Sequence, residues 1–80
     1  MICDFCSNPD VAWSYPMQAP DIDWVACEVC HGLIERGDYG DLADRALNAA
    51  GALGVFFDSY MLALRSGFLG HRTGPAAKLG

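Results

Sequence analysis

Cys3-Asp4-Phe5-Cys6 and Cys27-Glu28-Val29-Cys30 place two CxxC pairs twenty residues apart. A CxxC turn brings two soft thiolate ligands to one ion, and two such turns complete a tetrahedral set of four sulfurs. Cys3, Cys6, Cys27 and Cys30 are therefore the candidate ligands of one structural Zn²⁺. Iron accepts the same ligand set. Four protein ligands leave no open position for water or substrate, which argues against a catalytic metal.

Other readings of the cysteines fit less well. Cys27 to His31 spells CxxCH, a haem-attachment pattern, but it leaves Cys3 and Cys6 without a role. A dithiol oxidoreductase needs one CxxC on a βαβ frame that 80 residues with a central hairpin do not build. Rubredoxin-like iron sites often carry a glycine after each pair; Ser7 and His31 stand there here. The remaining polar residues assemble no nucleophile and base. Asp38, Asp41 and Asp44 read as helix caps and solvated surface, as do Asp21 and Asp23, and His31 reads as a neighbour of the site or a surface residue. The chain reads as a non-enzyme.

The elements that must position the sulfurs follow from local pattern. Residues 3–8 form a tight knuckle, and Asn8-Pro9-Asp10 signals a turn. Val11, Trp13 and Tyr15 alternate as in a half-buried strand, as do Ile22, Trp24 and Ala26. Pro16 to Asp21 is the loop between them. The second cysteine pair opens a helix, with Cys30, Leu33 and Ile34 on one face and Gly37 as its C-terminal stop. A helix N-terminus favours thiolate, which suits ligation there. A second helix begins at Asp38 or Asp41, buries Leu42, Ala43, Ala46, Leu47 and Ala50, and carries an Asp41–Arg45 pair.

Gly51 and Gly54 break that helix. From Val55 to Leu69, one broad face holds Phe56, Phe57, Tyr60, Met61, Leu64 and Phe68 and reads as core. A thinner stripe of Val55, Leu62 and Leu69, beside Ser59 and Ser66, lies roughly opposite and is the candidate contact with a partner or a second copy. Residues 71–80 read as a flexible tail. The expected organisation is one compact domain: a zinc-binding unit over 1–38, a helical extension over 39–70 packed on it, then the tail. The fold class is small α+β, with a knuckle and hairpin followed by two to three helices.

Bulk properties narrow the function. A chain of 80 residues buries a small core and commonly needs a metal or an oligomer to be stable. Its 52% apolar content builds no membrane span: the stretch Leu53 to Leu64 contains Asp58 and is followed by Arg65, whereas a span needs about 20 apolar residues. The opening Met1-Ile2-Cys3-Asp4 lacks the charged and apolar regions of a secretory signal, so the cytoplasm is the expected compartment. The net charge of −5 opposes generic phosphate binding. All ten acids precede residue 59, while Arg65, Arg72 and Lys78 follow it.

The order knuckle, hairpin, helix with CxxC at both ends resembles the treble-clef zinc fingers, including GATA-type and DksA-type fingers. The resemblance covers residues 1–37. GATA-type fingers are basic and read DNA, and this chain lacks that charge. Treble-clef nucleases of the HNH kind carry a histidine on the hairpin, and residues 7–26 contain none. Residues 27–38, Cys-Glu-Val-Cys-His-Gly-Leu-Ile-Glu-Arg-Gly-Asp, with the N-terminal cysteine pair, also resemble small proteins of actinobacteria and their phages. That likeness implies a phage-encoded or regulatory protein acting on a host or partner protein.

The expected function is a non-catalytic, zinc-stabilised protein-binding module. Its acidic surface suits a basic partner. The alternative is a nucleic-acid-binding zinc finger of the transcription-regulator type, in which Trp13, Tyr15 and Trp24 stack on bases while Arg65, Arg72 and Lys78 meet phosphates.

Overall fold

The hairpin forms where alternation places it. In the computed structural model, which describes residues 1–51 and 56–79, β1 (Val11–Tyr15) pairs antiparallel with β2 (Trp24–Cys27). The register passes from Val11↔Cys27 to Trp13↔Ala26, so Ala12 is the extra residue of a bulge. β2 starts at Trp24, two residues later than the alternation suggests. Ile22 lies in the connecting loop and is 85% exposed. Asp23 there accepts the Met17 N–H at 3.3 Å, which holds the loop to the strand it leaves.

α1 (Glu28–Arg36) follows β2 directly. Gly37 ends it in the left-handed region, at φ 75°. Its N–H donates to Ile34 O, and the Asp38 N–H donates to Leu33 O, the paired bonds of a Schellman stop. α2 (Tyr39–Ala49) buries Leu42, Ala43 and Ala46. Leu47 is half-buried and Ala50 is exposed, so the apolar stripe is narrower than expected. Asp38 occupies the N-cap position, yet its carboxylate takes Arg36 Nε at 3.0 Å and makes no cap bond.

The third helical run changes character part-way. α3 (Phe57–Ala63) is α-helical, and Leu64–Leu69 continue it as a π-helix closed by Gly70 N–H donating to Arg65 O at 2.9 Å. The wider turn rotates each residue through a smaller angle, and the expected stripes are redistributed. Leu64 and Phe68 are buried, Phe57, Tyr60 and Met61 are half-buried, and Phe56 is exposed. Leu62 is 69% exposed, whereas Leu69 packs against the core. Leu62 and Leu69 therefore do not form one exposed stripe. Val55, the third member, lies outside the described residues.

The C-terminal segment is a correction to the tail expected at 71–80. Met17 bridges Arg72, Thr73 N–H donates to Pro16 O, and β3 (Ala77–Lys78) pairs antiparallel with β1 through Trp13↔Lys78 and Ser14↔Ala77. The sheet has the order β2-β1-β3. Glycine and proline content suggested loose chain, but β1 offers an open edge whose N–H and C=O groups need partners, and this segment supplies them.

One apolar cluster joins the parts. It runs from Cys3 and Phe5 through Tyr15, Ala26, Leu33 and Leu42 to Leu64 and Phe68. Phe68 is its hub, with ring centroids 5.2 Å from each of Phe5, Tyr15 and Trp24. The helices over 39–70 thus complete the core of the N-terminal unit.

The π-helix brings Gly70 close to carbonyls. A Cβ there would lie 2.9 Å from Ser66 O and 3.2 Å from Arg65 O, while one on Gly67 would meet nothing within 4 Å. Gly70→Ala is expected to destabilise the fold by about 1–3 kcal/mol through steric overlap. Gly67→Ala is expected to be neutral or to stabilise by up to about 1 kcal/mol. Denaturant melts of the two variants check the contrast.

Candidate metal centre

Each cysteine pair is shaped by its own backbone. In the knuckle, Ser7 N–H donates to Cys3 O at 3.0 Å and Cys3 N–H to Asn8 O at 2.8 Å. Ser7 takes a positive φ of 65° to complete the turn. The N–H groups of Phe5 and Cys6 point at Cys3 Sγ, 3.4 and 3.5 Å away. Asp4, between the cysteines, ties the knuckle to β2. Its N–H donates to Val25 O at 2.9 Å and its carboxylate accepts the Val25 N–H at 2.7 Å.

Cys27 is the N-cap of α1, with extended backbone, and its Sγ accepts the Cys30 N–H at 3.5 Å. Cys30 lies in the first turn. Both sulfurs sit at the N-terminal end of α1, where the helix dipole is positive.

The four Sγ atoms lie within 4.8 Å of one another, with Cys6 and Cys27 3.6 Å apart. A tetrahedron of sulfurs around an ion, with bonds of about 2.3 Å as for zinc, has edges of about 3.8 Å. All four cysteines are buried and none is joined in a disulfide. The donor set and its size fit a metal ion, and the four residues singled out from the sequence are the ones brought together. Cys3, Cys27 and Cys30 are at most 2% exposed, and Cys6 at 9% lies on the wall of an open groove between the knuckle, α1 and α2.

The charge balance of the sulfurs points the same way. The neighbouring Cys30 sulfur lowers the Cys3 pKa, and Cys3 in turn raises that of Cys30, with burial raising it further. Burial also pushes up the Cys6 thiol. Four like charges in one dry pocket cannot coexist without a cation. A divalent ion bound among them would supply that charge and hold all four as thiolates.

Arg45 is the functional residue that sequence reasoning missed. Helical spacing pairs it with Asp41, but among the described residues no such pair forms. The guanidinium instead reaches the sulfurs, with Nη2 3.9 Å from Cys27 Sγ. Hydrogen bonding to Cys30 and then Cys27 raises its pKa. Its Nε is buried without a hydrogen-bond partner among the described residues. A cation left partly unpaired beside four sulfurs fits the net negative charge of a metal–thiolate centre. The signal was present in the sequence: Arg45 directly precedes Ala46 and lies three residues after Leu42, at the border of the buried stripe of α2.

The aromatics of the hairpin are engaged in packing. Tyr15 is fully buried, with Arg72 4.7 Å above its ring. Burial raises its pKa, and its hydroxyl and His31 Nδ1 share a hydrogen bond 2.7 Å long. His31 is half-buried and stacks on Trp13 at 3.8 Å and 8°. Trp24 packs on Phe5 and Phe68. Arg72 also pairs with Glu35 at 3.5 Å.

Comparison of the chain with protein-family models, with curated proteins and with solved structures returns no match.

Two outcomes follow for the centre. Arg45→Met is expected to lower metal affinity about 10–100-fold, measured by competition with a chromogenic chelator, because the sulfurs lose their compensating charge. Metal uptake must displace protons from the raised thiols, Cys30 and Cys6. Apparent affinity is therefore expected to fall as pH falls, with proton release on metal addition readable in weakly buffered solution.

Proposed function

We propose that this chain is a treble-clef module in which Cys3, Cys6, Cys27 and Cys30 hold a structural Zn²⁺, and that it acts by binding protein. Zinc is favoured over iron by the closed four-thiolate set without the glycines that often follow the ligand pairs of rubredoxins. The zinc ion would fix the knuckle against the start of α1 and supply no reaction chemistry. The reading places the protein in a reducing compartment, where four thiolates persist. Among the described residues, no helix is long and apolar enough to cross a membrane.

One observation carries the protein-binding reading. Among the exposed large apolar side chains, Leu62 on α3 stands out at 69% exposure because it lies in a groove with partly buried apolar neighbours. Phe57, Asp58, Met61, Leu62 and Arg65 line a shallow groove there. Apolar surface rimmed by charge is the usual mark of a protein contact.

Nucleic-acid binding has less support. Tyr15 has no exposed face, His31 covers one face of Trp13, and Arg72 is engaged with Glu35 and Tyr15. The zinc-loaded chain and its Leu62→Asp variant, compared as immobilised baits, test the two readings together. The expected result is a protein retained by the parent and lost by the variant at unchanged melting temperature. Salt-sensitive retention of random nucleic acid, equal for both baits, would replace the reading with the nucleic-acid one.

A further inference from the structure

The exposed side of α3 carries an order that specifies what covers it. Asp58, Ser59, Leu62, Arg65 and Ser66 are all exposed. Asp58, Leu62 and Arg65 line one shallow groove, so the acid and the base both lie beside the exposed leucine. Among the described residues neither Asp58 nor Arg65 forms an ion pair within the chain.

From this we propose that α3 pairs antiparallel with α3 of a second copy of the chain, about a two-fold axis passing beside Leu62. When two helices meet antiparallel, the same flank of each faces its counterpart, and positions symmetric about the axis come together. With the axis midway between Asp58 and Arg65, between Met61 and Leu62, Asp58 meets Arg65 of the other copy and Arg65 meets its Asp58. The two Leu62 side chains then lie either side of the axis and pack together. A parallel arrangement brings neither copy's charged flank against the other's and leaves Asp58 and Arg65 without opposite charges.

The pairing rests on reading this face as a protein contact, and it names the partner as the chain itself. α3 and its π-helical continuation span 7 and 6 residues, so the interface is small and the dimer dissociates on dilution.

Sedimentation velocity on the full zinc-loaded chain over a concentration series tests the proposal. The expected result is a reversible monomer–dimer equilibrium. Asp58→Arg and Arg65→Asp are each expected to weaken it about tenfold or more, since each reversal makes two like-charge contacts per dimer. The double reversal is expected to restore it, and Leu62→Asp to abolish it while the melting temperature holds. A parent that stays monomeric throughout overturns the self-pairing. So does a dimer that either single reversal leaves intact, or that the double reversal fails to restore. The protein-contact reading fails separately, if Leu62→Asp also leaves retention of every protein unchanged.

Discussion

Four sulfurs held within 4.8 Å of one another in a buried pocket are the constraint on which this structure depends. Packed this closely, the sulfurs shift one another, Cys3 toward a lower pKa and Cys30 toward a higher one. An ion shared by all four would tie the knuckle to the start of α1. The surroundings are arranged around the sulfurs. Backbone N–H groups of Phe5, Cys6 and Cys30 point at sulfur. The start of α1 lies at Cys27, and α2 delivers the guanidinium of Arg45. The helices beyond residue 38 therefore neutralise the centre as well as cover it.

A second tie is aromatic. Phe5 lies between the first two cysteines, and its ring meets both Trp24 of the hairpin and Phe68 of the π-helix. The knuckle and the C-terminal helical run are thus joined through one ring. The π-helix sets the other half of this link. It turns Leu64, Phe68 and Leu69 toward the core, and it leaves Leu62, on the α-helical side of the transition, facing outward. The shape of the exposed face on α3 is a consequence of how Phe68 reaches the centre of the molecule.

Much of this was legible in the sequence, and the failures have physical causes. The ligand set was readable because CxxC spacing is a local constraint on two sulfurs at a time. The hairpin, and the stop at Gly37, were readable because alternation and a left-handed cap are also local. Periodicity assumes 3.6 residues per turn, so it placed Leu62 and Leu69 on one stripe and could not foresee a wider turn at Leu64–Leu69. The pairing of β3 with β1 joins residues more than sixty apart across a segment rich in glycine and proline, and no local signal marks it. Sequence spacing pairs Arg45 with Asp41 because it shows helix neighbours and hides the sulfurs that α2 packs against. Residue types alone identified the centre; its charge compensation needed the tertiary arrangement.

The central claim is that one ion joins all four cysteines in a closed site. X-ray absorption at the metal edge of the purified, metal-loaded protein measures this directly. The expected spectrum is that of zinc with four sulfur neighbours at about 2.3 Å and no light-atom ligand. A site with oxygen or nitrogen in its first shell, or with fewer than four sulfurs, would contradict the account.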